Sequence, residues 1–294
     1  MSLIETALKR LQRAEAERND QSAGRALPPP PSAVLPAASK RKVSISGPKH
    51  HVTRDQLIRG GMLVPSDQDS LAADAFRRIK RPLIDNAANR TPGATKNANI
   101  IMLTSALPNA GKTFCAVNLA VSMSHERDLN VLLVDADVDK RHISREFGLG
   151  DAPGLIELLL DDNADINEML VRTDLNDIQV LPAGRYDSNA TELLASGRMA
   201  AIVNELATRY SDRLVILDSP PMLVASAAQA VAPHVGQIIV VVEAGSTSHQ
   251  ELNHTLELLN RDRPINIILN KTHDWSALGD YVGVYGSYYG SAQS

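Results

Sequence analysis

From about residue 99 onward, short apolar runs alternate with stretches of helical period. The runs are Ile100–Thr104, Val131–Val134, Ile178–Leu181, Leu214–Leu217, Ile238–Val242 and Ile265–Leu269. Nearly unbroken Val, Ile and Leu is what a strand needs when both of its faces are covered. The segments between them, including Glu192–Arg209 and Thr247–Asn260, predict helices. Strand and helix in alternation predict an α/β fold, a mostly parallel sheet with helices on both faces.

The pattern is different before residue 99. Residues 1–18 read as an amphipathic helix, with Ile4, Leu8 and Leu11 in a stripe and Ser2 and Glu5 at capping-box spacing. Residues 19–68 read as a flexible Pro/Ser-rich linker, clearest around Pro28–Pro31 and Pro36. A helical segment over about 69–86 carries Leu71, Ala75, Ile79 and Leu83 on one face. Its other face carries Arg77, Arg78, Lys80 and Arg81, either as a solvated surface or as a subunit contact. Pro82 is expected to kink or interrupt it. The last segment, 280–294, is rich in Gly, Ser and Tyr and reads as a flexible tail. The predicted division is therefore 1–18, 19–68, 69–279 and 280–294.

The chemistry concentrates in SALPNAGKT, Ser105–Thr113, between the first strand and the helix beginning near Phe114. A small-residue loop in that position binds anions, because free amides at the helix start point into it and carry partial positive charge. Lys112 adds a full charge for β/γ-phosphates, and Thr113 offers a hydroxyl to Mg²⁺. The pattern G-x-x-x-x-G-K-[ST] is missed only at its first glycine, where Ala106 stands. Asn109 is a residue that tolerates positive φ. The loop predicts a P-loop NTPase-type domain binding ATP through Pro108, Asn109, Ala110, Gly111, Lys112, Thr113 and Phe114.

Two further strands end in acids, and ligands of open parallel sheets sit at the carboxyl ends of strands. VLLVDAD ends in Asp135 and Asp137, which extended geometry points to one side, and LVILDSPP ends in Asp218. Carboxylates there suit Mg²⁺, a hard cation. Thr113, Asp135 and Asp218 are the expected metal residues. Asp137 is placed to orient or deprotonate an attacking hydroxyl, and Lys112, Asp135, Asp137 and Asp218 form the expected catalytic set.

The net charge of −4 conceals an asymmetry. Residues 1–60 hold 11 Lys/Arg against 5 Asp/Glu, so the remainder is the acidic part. A basic arm suits an acidic partner or an anionic membrane surface, although a solvated tail has the same composition. The single cysteine, Cys115, excludes an internal disulfide and fits a reducing, cytoplasmic setting. No apolar run approaches the roughly 18 residues that a membrane span needs.

In this order, SALPNAGKT, VLLVDADVD and LVILDSPPM resemble the loop and two acidic motifs of bacterial tyrosine kinases. NATELLAS (Asn189–Ser196) and LNK (Leu269–Lys271) extend the resemblance. MSLIETAL and AFRRIKRPL are similar, more narrowly, to exosortase-associated tyrosine autokinases of exopolysaccharide systems. The resemblance implies a cytoplasmic kinase recruited to the plasma membrane by a transmembrane chain-length determinant. It also implies assembly into a ring, a counteracting phosphatase, and no nucleic-acid partner. Carried over by position, Lys112 binds phosphates, Thr113 and Asp218 serve Mg²⁺, and Asp135 and Asp137 serve metal and acceptor activation. Asn270, in LNK, joins the nucleotide-binding set. Tyr281, Tyr285, Tyr288 and Tyr289 match the family's C-terminal acceptors.

This chain departs from the family at three places. Asp139 stands where an Arg is common, and Ala227 where an acid is common. Asp74, Arg77 and Lys80 occupy the positions of the family's Glu-x-x-Arg-x-x-Arg assembly helix, and Lys lacks the bidentate fork of Arg. The rival reading is a partitioning or division-site ATPase switch, whose loop carries an early lysine. Leu107 stands at that position here. A second rival is a non-catalytic ATP-binding regulatory module.

Overall fold

The computed structural model describes residues 49–62, 70–88, 94–127 and 129–272. The expected helix at 1–18, most of the linker and the tail at 280–294 lie outside the described residues.

Seven strands form one sheet: β1 (Ile100–Ser105), β2 (Asn130–Asp135), β3 (Val171–Arg172), β4 (Gln179–Leu181), β5 (Arg213–Asp218), β6 (Gln237–Glu243) and β7 (Ile265–Asn270). Their order is β3-β4-β2-β5-β1-β6-β7. All neighbours are parallel except β3 and β4. The predicted α/β architecture is therefore the one observed. β3 was not predicted, because two residues carry no periodicity to read.

The helices are α1 (Arg54–Arg59), α2 (Leu71–Ala88), α3 (Lys112–Ser124), α4 (His142–Glu146), α5 (Leu155–Leu160), α6 (Ile166–Met169), α7 (Ala190–Leu194), α8 (Gly197–Arg209), α9 (Ser226–Val231) and α10 (His249–Glu257). Alternate strand residues feed two cores. Ile100, Met102, Leu132, Val134, Val215 and Leu217 join residues of α5 to α9 on one face. Ile101, Leu103, Leu133 and Ile216 join residues of α1 to α4 on the other. The continuous apolar runs are thus explained by burial on both sides.

Four expectations change. The single helix predicted over Glu192–Arg209 is two, α7 and α8. Ala195 N closes α7 on Thr191 O, Ser196 turns extended, and its Oγ donates to Leu193 O at 2.6 Å. Pro82 does not interrupt α2, which runs unbroken from Leu71 to Ala88.

The third change is in the linker. Within the span assigned to it, residues 49–62 pack on the domain: Val52, Leu57 and Met62 are buried, and His50 bridges to Thr173. His50 Nε2 lies 2.7 Å from Phe147 O. Composition placed the boundary too late, because a strap needs only a few apolar anchors on a domain already folded.

Lys80 also leaves the cationic face on which its helical position placed it. It is only 5% exposed, donating to Ser122 O at 2.6 Å and pairing with Glu126 at 2.9 Å. A cation at the carbonyl end of α3 is favoured by the helix dipole. Lys80 therefore fastens α2 to α3 within one chain, while the Arg81 side chain stays 68% exposed.

Candidate nucleotide site

The loop from β1 to α3 is shaped by two residues with positive φ, Asn109 at 69° and Gly111 at 91°. A Cβ on Gly111 would lie 2.1 Å from Asn270 Nδ2, so only glycine fits. Gly111 caps α3 without a side chain, and the first turn holds no acid. Its leading amides are thereby left for an anionic ligand. The loop is held from several sides: Ser105 Oγ donates to Leu107 O, Met222 N to Ser105 O, and Leu223 N to Ala106 O. On the far side, Asn270 Nδ2 donates to Ala110 O at 2.9 Å.

Thr113 Oγ1 donates to Asp218 Oδ2 at 2.6 Å. Asp218 and Asp135 are register partners on adjacent parallel strands, both fully buried. Asp135 Oδ2 accepts from Ser144 N at 2.8 Å and Ser144 Oγ at 2.7 Å. The other oxygen of each carboxylate, Oδ1, has no partner among the described residues. Two buried acids side by side resist ionisation. Burial, with the Asp135 charge adding to it, pushes Asp218 up to about 7 against the Thr113 hydrogen bond. Burial raises Asp135 to about 6 despite the Ser144 bonds. A divalent cation would relieve both.

Lys112, 6% exposed, stands beside this pair. Burial lowers its amine from the ordinary value, while Asp218 and Asp137 oppose that effect. A cleft of about 170 Å³ is lined by Asn109, Gly111, Lys112, Thr113, Asp137, Lys140 and His142. A larger cleft of about 660 Å³ lies at the opposite, amino-terminal ends of β1, β6 and β7, beside Asn97, Val235 and Arg263. Ligands of parallel sheets bind at carboxyl ends, so the smaller cleft is the candidate site.

Most of the expected site residues converge there. Lys112, Thr113 and Asp137 line the cleft with Asn109 and Gly111, and Asp218 and Asp135 lie behind Thr113. Phe114 differs: its ring packs towards Phe76 (centroids 6.2 Å apart) and Gly61, so only its backbone amide belongs to the loop. Ala110 and Asn270 act through the Ala110 carbonyl, and half-buried Pro108 shapes the turn. Asp139 is exposed and outside the cleft lining. Ala227 is buried in α9, and nothing in the structure explains why an acid is missing there.

Lys140, His142 and Ser144 were not singled out from the sequence. The basic run Lys140–Arg141–His142 directly after an acidic motif was the available signal. Tyr281, Tyr285, Tyr288 and Tyr289 lie outside the described residues. No cluster of three or more His, Cys, Asp or Glu forms a metal cage among the described residues. Mg²⁺ bound through one or two protein oxygens and phosphates needs none, and the unpartnered carboxylate oxygens fit it.

The AAA domain family matches residues 98–270. The chain belongs to that family. The AAA domain here is similar to the tyrosine-protein kinase ptk of Acinetobacter johnsonii, 26% identical over 195 residues, covering 66% of this chain and 25% of that protein. It is similar also to the tyrosine-protein kinase wzc of Salmonella typhimurium, 30% identical over 206 residues, covering 68% and 27%. The chain spans roughly a quarter of the length of the curated relatives it matches. Among solved structures, the kinase domain of the Escherichia coli tyrosine kinase ETK superposes with TM-score 0.57 at 26% identity, covering 76% of this chain and 96% of that one. The resemblance to bacterial tyrosine kinases read from the motifs is borne out by these relatives. No described helix is long and apolar enough to cross a membrane.

Proposed function

We propose that this protein is a protein-tyrosine autokinase that transfers the γ-phosphoryl group of ATP to C-terminal tyrosines of a neighbouring subunit. The observation that carries this reading is the convergence of Lys112, Thr113 and Asp137 on one cleft, with Asp218 hydrogen-bonded to Thr113 behind it. The names of its relatives support the choice of tyrosine as acceptor.

MgATP supplies the transferable group and a cation that neutralises its developing charge. Lys112 and the leading amides of α3 hold the β/γ-phosphates. Thr113 and Asp218 hold the metal, with Asp135 behind them. Asp137, on the cleft wall, orients the acceptor phenol and takes its proton. Lys140 adds positive charge at the mouth. Asn270 fixes the loop through the Ala110 carbonyl and is a positioning residue.

The domain plan belongs to the same proposal: a basic N-terminal arm, the kinase domain, and a tyrosine-rich tail that presents Tyr281, Tyr285, Tyr288 and Tyr289 to a neighbour in a ring. The proposed setting is the inner face of the plasma membrane. Recruitment there is through a transmembrane chain-length determinant of exopolysaccharide synthesis, and a phosphatase resets the tail.

The test mixes a Lys112→Met chain with an intact-site chain truncated after Gly279, in MgATP. Phosphotyrosine is expected on the Lys112→Met chain only. ATP hydrolysis by the wild type without phosphotyrosine anywhere would replace this reading with an ATPase switch.

A further inference from the structure

Six tyrosines occur in the chain, and two of them, Tyr186 and Tyr210, lie among the described residues. They occupy opposite environments. Tyr210 is fully buried, and its hydroxyl donates to Asn167 Oδ1 at 2.6 Å. Tyr186 is 69% exposed, on the loop that leaves the carboxyl end of β4. That loop is wired to the nucleotide site. Ala183 N donates to Ser144 Oγ at 2.9 Å, and Ser144 Oγ donates in turn to Asp135. Arg141, between the cleft-lining Lys140 and His142, donates to Gly184 O at 3.3 Å.

The backbone on either side of Tyr186 is fixed. Gly184 has a φ of 89°, and a Cβ there would lie 2.2 Å from Glu157 Oε2. Arg185 N donates to Glu157 Oε1 at 3.2 Å, and Asn189 N donates to Asp187 Oδ1 at 2.8 Å. A phenol is thus held out to solvent by a braced loop whose hydrogen bonds reach Ser144 and Arg141. Buried aromatics explain themselves by packing, and this one packs little.

The charges around it suit a phosphate ester. The Arg185 side chain is 66% exposed and meets Glu157 only at 3.7 Å. Glu157 is already engaged by Gly154 N at 2.7 Å and by Arg185 N, so the guanidinium can turn to a new anion without stripping it. Arg141, which reaches the Gly184 carbonyl, adds positive charge to this loop, against Asp187 and Glu157. Arginine pairs bidentately with phosphate, and a phosphotyrosine carries about −1.5 to −2 charges at pH 7.

We propose that Tyr186 is a phosphoacceptor of this kinase, separate from the tail, and that Arg185 clamps the product. The inference rests on the kinase reading above. The Tyr186 phenolic oxygen forms a bond to the γ-phosphorus of ATP as the bond to the β–γ bridging oxygen breaks. ADP leaves with that electron pair, and the phenolic proton passes to the Asp137 carboxylate and on to solvent.

The test uses the full chain with Tyr281, Tyr285, Tyr288 and Tyr289 all changed to Phe, incubated with MgATP and mapped by mass spectrometry. Phosphotyrosine is expected to persist at Tyr186 alone, and to vanish on adding Tyr186→Phe or Lys112→Met. A tail-silenced chain without label, or labelled elsewhere, overturns the proposal while a labelled wild-type tail leaves the kinase reading standing. A wild type without phosphotyrosine at any position overturns both. A second readout does not depend on transfer. In phosphorylated Arg185→Gln protein, an added tyrosine phosphatase should strip Tyr186 several-fold faster than in the Arg185 parent, with tail sites unaffected. Equal rates at Tyr186 would remove the clamp.

Discussion

Thr113 Oγ1 and Asp218 Oδ2 meet at 2.6 Å across 105 positions of sequence, joining the first turn of α3 to the end of β5. The Asn270–Ala110 contact is of the same kind, joining the end of β7 to the loop after β1, whereas Asp135 is held by Ser144 from the helix that follows its own strand.

Lys112→Met should abolish phosphotyrosine formation and leave the fold intact. Lys112 is buried, and burial depresses its amine, so an unbranched apolar side chain of similar length removes a desolvation cost. The charge-assisted hydrogen bond to phosphate that the substitution deletes is worth about 1.5–3 kcal/mol in binding alone. An unchanged melting temperature with no autophosphorylation is the expected pair of results. A folded variant that labels at the wild-type rate would sink the assignment.

The nucleotide-free protein should lose stability as pH rises from about 4 to about 7 through Asp218. Its folded value is about 7, above the usual carboxylate value of about 3.9. Between those limits the folded state holds a proton that the unfolded state has released. The slope per proton is therefore negative, at most about 1.4 kcal/mol per pH unit. Thermal melts of Asp218→Asn should show a weaker decline between pH 5 and 8, and MgADP should restore wild-type stability most at the alkaline end. A wild-type melting temperature that is flat or rising, with no difference from Asp218→Asn, contradicts this.

Asn270→Ala should weaken ATP binding with little change in melting temperature. The hydrogen bond to Ala110 O that it removes is worth about 1 kcal/mol, which corresponds to an increase in Kd of about fivefold. Isothermal titration with a non-hydrolysable ATP analogue reads this directly. An unchanged Kd would mean that the loop holds its shape without the latch.

Lys80→Ala should destabilise the domain, whereas Arg81→Ala should not. Lys80 is buried between Ser122 O and Glu126, and its removal leaves an acceptor unpaired, at a cost of about 1–3 kcal/mol. Arg81 is 4.0 Å from Glu126 and mostly exposed, so its contribution is near zero to about 1 kcal/mol. Urea titrations of the two variants distinguish these outcomes, and equal midpoints would refute the placement of Lys80.

The sheet, its parallel character and the nucleotide loop were determined by the sequence alone. Unbroken runs such as Ile238–Val242 have only one environment that buries both faces, and a Gly-Lys-Thr after such a run has few other uses. Asn109 was legible too, because positive φ limits which residues can stand there, and it adopts 69°. What the sequence left open depends on partners far along the chain. Helical spacing put Lys80 on a charged face, and only the neighbouring α3 carboxyl terminus made that position interior. Leu57 and Val52 looked like isolated apolar residues in a linker until the domain supplied the surface that buries them. Ser144 carried no signal of its own, since its role is to hold, from α4, both Asp135 at the end of β2 and Ala183 in the loop after β4. Periodicity reports what a segment does to itself. Contacts across the sheet decide which of its residues are charged, buried or held.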